Sequence, residues 1–120
     1  MSTINYDSKK SIRGAFGEEL AELGKNIPNV VALDADLSGS TQTSLFAKAF
    51  SERFFDVGIA EQDLMTTALG LSLEGFIPFA ATFAVFATGR AYDQIRNSVC
   101  YPEFNVKIVG THGGVTVGED

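Results

Sequence analysis

Apolar positions along the chain follow two rhythms in turn. After Ser11, the side chains Ile12, Ala15, Phe16, Leu20, Leu23 and Ile27 recur every three or four residues. That spacing gathers them on one face of a helix. Ser11 is a candidate N-cap, because its hydroxyl can accept from an unpaired N–H of the first turn, and Pro28-Asn29 stops the pattern. VVALDAD, residues 30–36, is a short run rich in β-branched residues without polar alternation, as expected of a strand buried on both faces. SLFAKAF predicts a brief helix over 44–50 and RFFDVG a second strand over 53–58. A helix follows from about 60 to 73, closed by Glu74-Gly75. FIPFAAT predicts a third strand over 76–82, with Pro78 pointing to a start or edge position because proline cannot donate to a ladder. VFATGRAYDQIRNSV has helical spacing over 85–99, Pro102 ends that region, and NVKIVGT predicts a fourth strand over 105–111.

Strand and helix alternate throughout. This pattern predicts right-handed crossovers and an α/β fold, a parallel sheet with helices on both faces. The polar first ten residues predict a flexible lead-in, and no internal repeat or low-complexity segment interrupts the rest. The closing THGGVTVGED is glycine-rich and follows a parallel strand, a position that normally opens another helix. The expectation is therefore a partial domain, truncated at its C-terminal end.

Composition narrows the function without naming it. The chain has 120 residues, 45% of them hydrophobic, which is enough to bury one core. The net charge is −6 and the nine basic residues are scattered, which argues against nucleic acid or an anionic membrane as partner. Cys100, the single cysteine, has no internal disulfide partner and reads as a core or helix-end thiol. No Cys/His cluster suggests a metal site, residues 1–10 are too polar for a signal peptide, and the apolar run 75–87 is too short to span a bilayer. The cytoplasm is the default location.

Ligands in open parallel α/β sheets bind at the carboxyl ends of the strands. There the sequence offers Asp34, Asp36, Ser38 and Ser40, then Glu61, then Phe83 and Phe86, and finally His112, Glu119 and Asp120. Polar groups thus converge on one rim beside an aromatic pair. FFDVGIAEQD, residues 54–63, is the most pointed stretch, since it sets a carboxylate where a strand turns into a helix. Each residue also has a plain structural alternative. Glu61 could be a first-turn acid favoured by the helix dipole. Phe83 and Phe86 could be core, Asp36 and Ser38 could cap a helix, and His112 could be structural. No GxGxxG or P-loop pattern is present.

FFDVGIAEQD, ATFAVFATGRAYDQIR and THGGVTVGED, in this order and spacing, resemble the pyrimidine-binding domain of transketolases, which depend on thiamine diphosphate. The resemblance runs from about Arg13 to Asp120 and is closest to transketolases split into two subunits, where this would begin the C-terminal one. It implies that Glu61 contacts a ring nitrogen of the cofactor's aminopyrimidine. Shared protonation there favours the imino form, which removes a proton from the thiazolium carbon. A carboxyl group in such a role needs surroundings of low dielectric, for which Gly58, Ile59 and Ala60 are the candidates.

The resemblance also implies that Phe83 and Phe86 pack on the pyrimidine and that Asp36 lies near the cofactor's linking region. Arg13, Ser40 and His112 match residues that bind a sugar phosphate, and Asp120 one that orients a sugar hydroxyl. Mg²⁺ and the diphosphate belong to a separate diphosphate-binding domain or subunit, each active site lies between two chains, and the isolated chain is expected to be inactive. Missing sheet surface further predicts self-association.

Some positions depart from the family pattern. Gly89 replaces a common aromatic of the pyrimidine pocket, Gly113 and Gly114 replace more polar residues, and the family's donor-binding histidine would lie just beyond Asp120. Deoxyxylulose phosphate synthase, which shares FDV-type, IAEQ and RAYDQ segments, is the alternative enzyme. A truncated, non-catalytic interaction module is the alternative outside enzymes.

Overall fold

The computed structural model describes residues 9–118, so most of the lead-in expected over 1–10 lies outside the described residues, as does Asp120. Helix α1 (Ile12–Asn26) leads into strand β1 (Val30–Asp34), followed by α2 (Ser38–Thr41), α3 (Ser44–Ala49) and a 3₁₀ turn. Strand β2 (Phe54–Asp56), helix α4 (Glu61–Leu73), strand β3 (Ile77–Phe83) and helix α5 (Ala84–Gly89) come next. A π-helical stretch (Gln94–Cys100) and strand β4 (Lys107–Thr111) complete the described chain.

The four strands form one sheet in the order β2-β1-β3-β4, with every pairing parallel. β1 is buried along its whole length, as its unbroken apolar run requires. Its register with β3 runs from Val30↔Ile77 to Asp34↔Ala81, which sorts side chains onto two faces. Val31, Leu33 and Ala80 pack beneath Leu64, Met65 and Ala68 of α4. Val30, Ala32, Ile77 and Phe79 pack with Leu20 and Phe46 of α1 and α3. Both faces are therefore covered, as the alternating pattern predicts. From β1 the chain moves outward to β2, and from β3 it moves the opposite way to β4. The crevice for a ligand in such a sheet opens where these directions diverge, at the carboxyl ends of β1 and β3.

Three expectations need correction or refinement. Pro78 does not mark an edge: it is fully buried, second in β3, opposite Val31 of β1. The Ile77 N–H already bonds the Asn29 carbonyl on the β1 side, so the next residue faces β4. β4 begins only opposite Phe79, so proline there removes no ladder bond. The helix expected over 85–99 is not continuous. α5 stops at Gly89, and the chain resumes with widened turns, in which Tyr101 N–H donates to the Arg96 carbonyl at 3.0 Å. Cys100 ends this stretch and is exposed, so it is a helix-end thiol and not a core one.

Candidate functional site

Glu61 is the first residue of α4, reached from β2 through a tight turn in which Gly58 adopts φ 77°. Asp56 braces that turn: its Oδ1 accepts from the N–H of Gly58 at 2.9 Å and from that of Asp36 at 3.0 Å. The turn sets the Glu61 side chain inward, 5% exposed. A first-turn acid serving only the helix dipole need not be buried. Asp63, exposed in the same turn, already supplies negative charge there. Burial adds a desolvation cost to Glu61 that the dipole alone does not explain. The low-dielectric surroundings expected from Ile59 are not found, because that side chain is 74% exposed. Instead, Arg90 Nη1 donates to Glu61 Oε1 at 3.2 Å.

Arg90 links Glu61 to the aromatic pair. Its guanidinium carbon lies 4.0 Å from the Phe86 ring centroid. Phe86 stacks on Phe83 with centroids 5.7 Å apart and planes at 16°. Both rings are half-buried, so neither is core. The Phe83 ring in turn meets His112 at 4.1 Å. Glu61, Phe86, Phe83 and His112 thus form one line of contacts, with Arg90 as the member that periodicity did not reveal. The sequence places Arg90 within the helical pattern over 85–99; in the structure it directly follows α5, its N–H still bonded to the Phe86 carbonyl at 2.9 Å. A Cβ on Gly89 would meet nothing within 4 Å, and Gly89 lines neither of the recesses described below.

His112 adopts φ 57°, and its Nδ1 lies 2.8 Å from the Thr111 hydroxyl. Together with Arg13 it lines a cleft of about 810 Å³ between the start of α1 and the segment after β4, where the main chain of Gly113 and Gly114 forms part of the wall. Arg13 Nη1 donates to the Ser40 carbonyl at 3.0 Å, so these two candidates are neighbours. A separate recess of about 450 Å³ is lined by Ala60, Glu61, Gln62, Asp63 and Arg90.

Two rim acids line neither recess. Asp36 is exposed with φ 61° and is tied through its main chain to Asp56, apart from both recesses. Asp34 is buried, and its own chain takes both oxygens. Oδ1 accepts from Leu37 N–H at 2.6 Å, while Oδ2 accepts from the hydroxyls of Thr41 at 2.6 Å and Thr43 at 2.9 Å. Burial raises its pKa against the pull of those donors. Leu37, the N-cap of α2, offers that helix no side-chain acceptor, and neither Asp36 nor Ser38 takes the N-cap position.

Comparison with known proteins bears on this arrangement. The family model described as transketolase, pyrimidine binding domain, matches residues 8–120. The chain belongs to this family. A Methanocaldococcus jannaschii protein, provisionally named transketolase C-terminal section, is 60% identical over 92% of this pyrimidine-binding domain and 35% of its own length. A 1-deoxy-D-xylulose-5-phosphate synthase of Geobacter sulfurreducens is 46% identical over 92% of the domain, which spans 17% of that enzyme. Among solved structures, a split-gene transketolase in an inactive beta4 tetramer superposes with TM-score 0.75 and 65% identity, covering 82% of the domain and 33% of that chain. The domain thus spans about a third of the C-terminal section and of the split-gene chain, and less than a fifth of full-length transketolases such as the human one. Among its described residues no helix is long and apolar enough to cross a membrane.

Proposed function

We propose that this chain supplies the pyrimidine-binding half of a cytoplasmic split transketolase and completes its active site only with a partner that carries the diphosphate-binding domain. The observation that carries this reading is the pairing of a buried carboxylate, Glu61, with the stacked rings of Phe83 and Phe86. A flat, nitrogen-bearing heterocycle needs both: an aromatic face to pack on and a carboxyl group at a ring nitrogen. The residues present therefore fit the pyrimidine half of thiamine diphosphate. When bound, that cofactor supplies the carbon nucleophile that carries a two-carbon ketol unit between sugar phosphates.

Glu61 holds or shares a proton at the ring nitrogen. Phe83 and Phe86 orient the ring and exclude water from one side of it. Arg13 and His112 face the larger cleft, where a guanidinium and an imidazole N–H suit a phosphate dianion. Ser40 contributes beside Arg13, Asp36 stands toward the cofactor's linking region, and Asp120 orients a sugar hydroxyl. Mg²⁺ and the diphosphate are held by the partner, and the assembly is a homo-oligomer of such pairs.

A second reading, a deoxyxylulose phosphate synthase, has the 46% identity to the Geobacter sulfurreducens enzyme in its favour. The two differ in the donor. The full-length protein assembled with its partner is expected to move a two-carbon unit from a ketose phosphate to an aldose phosphate. Turnover of pyruvate without that transfer would replace the first reading by the second, and neither reaction would leave a non-catalytic module.

A further inference from the structure

We propose that Arg90 is a positioning residue for Glu61, anchoring one carboxylate oxygen so that the other faces the ligand. This rests on the assignment of Glu61 as the group that meets the aminopyrimidine. Three contacts hold Arg90. Its Nη1 donates to Glu61 Oε1 at 3.2 Å. Its guanidinium lies over the Phe86 ring at 4.0 Å, within the range of cation–π attraction. Its main-chain carbonyl accepts from Gln62 Nε2 at 3.2 Å. Glu61 and Gln62 are consecutive, so the first turn of α4 grips Arg90 twice, once through the side chain and once through the main chain.

A glutamate at a helix start has several rotamers, each placing its oxygens differently. The contact to Arg90 removes that freedom at Oε1. Oε2 has no hydrogen-bond partner among the described residues and is not sealed from solvent. Glu61 and Arg90 both line the recess of about 450 Å³. One oxygen anchored and one open is the arrangement required of a group that must meet a ring nitrogen at fixed distance and angle.

An ordinary surface ion pair could not do this, because two solvated partners gain little from each other. Here the Arg90 side chain is 54% exposed but that of Glu61 only 5%. Removing Arg90 leaves a buried carboxylate without its cation. Lysine would keep the charge but lose the planar contact with Phe86 and the directed N–H.

The test uses the full-length protein assembled with its partner and compares Arg90→Met, Arg90→Lys and Glu61→Gln. Thiamine diphosphate affinity is measured by calorimetry, and cofactor activation by deuterium exchange at the thiazolium carbon. Arg90→Met is expected to slow exchange about tenfold or more while changing Kd by less than about threefold, and Arg90→Lys to recover part of the rate. In the cofactor-free protein, the losses in melting temperature from Glu61→Gln and Arg90→Met should not add, as expected of contacting residues. Exchange at the parent rate in Arg90→Met would overturn the proposal. So would equal losses of affinity and exchange with no recovery by lysine, which would mark a purely structural residue. Slowed exchange in Glu61→Gln but not in Arg90→Met would remove only the positioning role. Unchanged exchange in Glu61→Gln would overturn the assignment of Glu61, and this proposal with it.

Discussion

Asp34 and Glu61 are both buried carboxylates on the ligand rim, and their partners separate them. Asp34 is enclosed by Leu37, Thr41 and Thr43, which join the end of β1 to α2 and the loop behind it. Burial holds its pKa above the ordinary 3.8, so the folded state binds this proton more tightly than the unfolded chain does. The resulting stabilisation is complete below about 3.8 and is lost as pH rises through the raised value. In Asp34→Asn the hydroxyls can reverse and accept from the amide. Relative to the parent, this variant should gain stability as pH climbs through that window and hold the gain above it. Denaturant titrations across the acid range would show this, and a pH-independent gap would contradict it. Asp34→Ala, which strands three donors, should cost about 3 kcal/mol. GIAEQ made Glu61 legible in the sequence, whereas Arg90 was not, because its partner lies 29 residues away and nothing local signals the pairing.

At the scale of elements, close approaches between helices decide what a substitution does. In α1, a Cβ on Gly17 would lie 2.5 Å from the Gln42 carbonyl oxygen, a main-chain atom that cannot swing aside. In α4, a Cβ on Gly70 meets nothing within 4 Å. Gly17→Ala should therefore destabilise by about 2 kcal/mol, although alanine alone favours a helix by about 1 kcal/mol. Gly70→Ala should show that gain of up to about 1 kcal/mol. Denaturant midpoints of the two variants check this, and stabilisation by both would contradict it. The start and stop of α1 and the stop of α4 were legible because Ser11, Pro28 and Gly75 act locally. The Ser11 hydroxyl does accept from Gly14 N–H, at 3.4 Å. The break between α5 and the π-helical stretch was not legible, since residues 85–99 keep an apolar spacing that suits either kind of turn. Arg53 was missed for a similar reason. It closes the end of α1 by donating to the carbonyls of Gly24 and Pro28, both at 2.8 Å, and no helical pattern announces a cap from so far along the chain.

At the scale of the whole molecule, the fold class followed from alternating periodicity, but the strand order β2-β1-β3-β4 did not, because non-local pairing leaves no mark in local spacing. The larger surface also points outward. Ile12, Ile59, Val85, Tyr92, Tyr101 and Val115 are each more than 60% exposed, so each is open to contact with another chain. Ile59 and Val85 adjoin the elements that carry Glu61 and Phe86, so a partner docking there would also close the cofactor site. The most direct test titrates thiamine diphosphate with Mg²⁺ into the full-length protein, into its partner subunit, and into their mixture. The mixture is expected to bind at least about tenfold tighter than either component alone. Equal affinity in the partner alone would place the whole cofactor site outside this chain and contradict the role assigned to Glu61, Phe83 and Phe86.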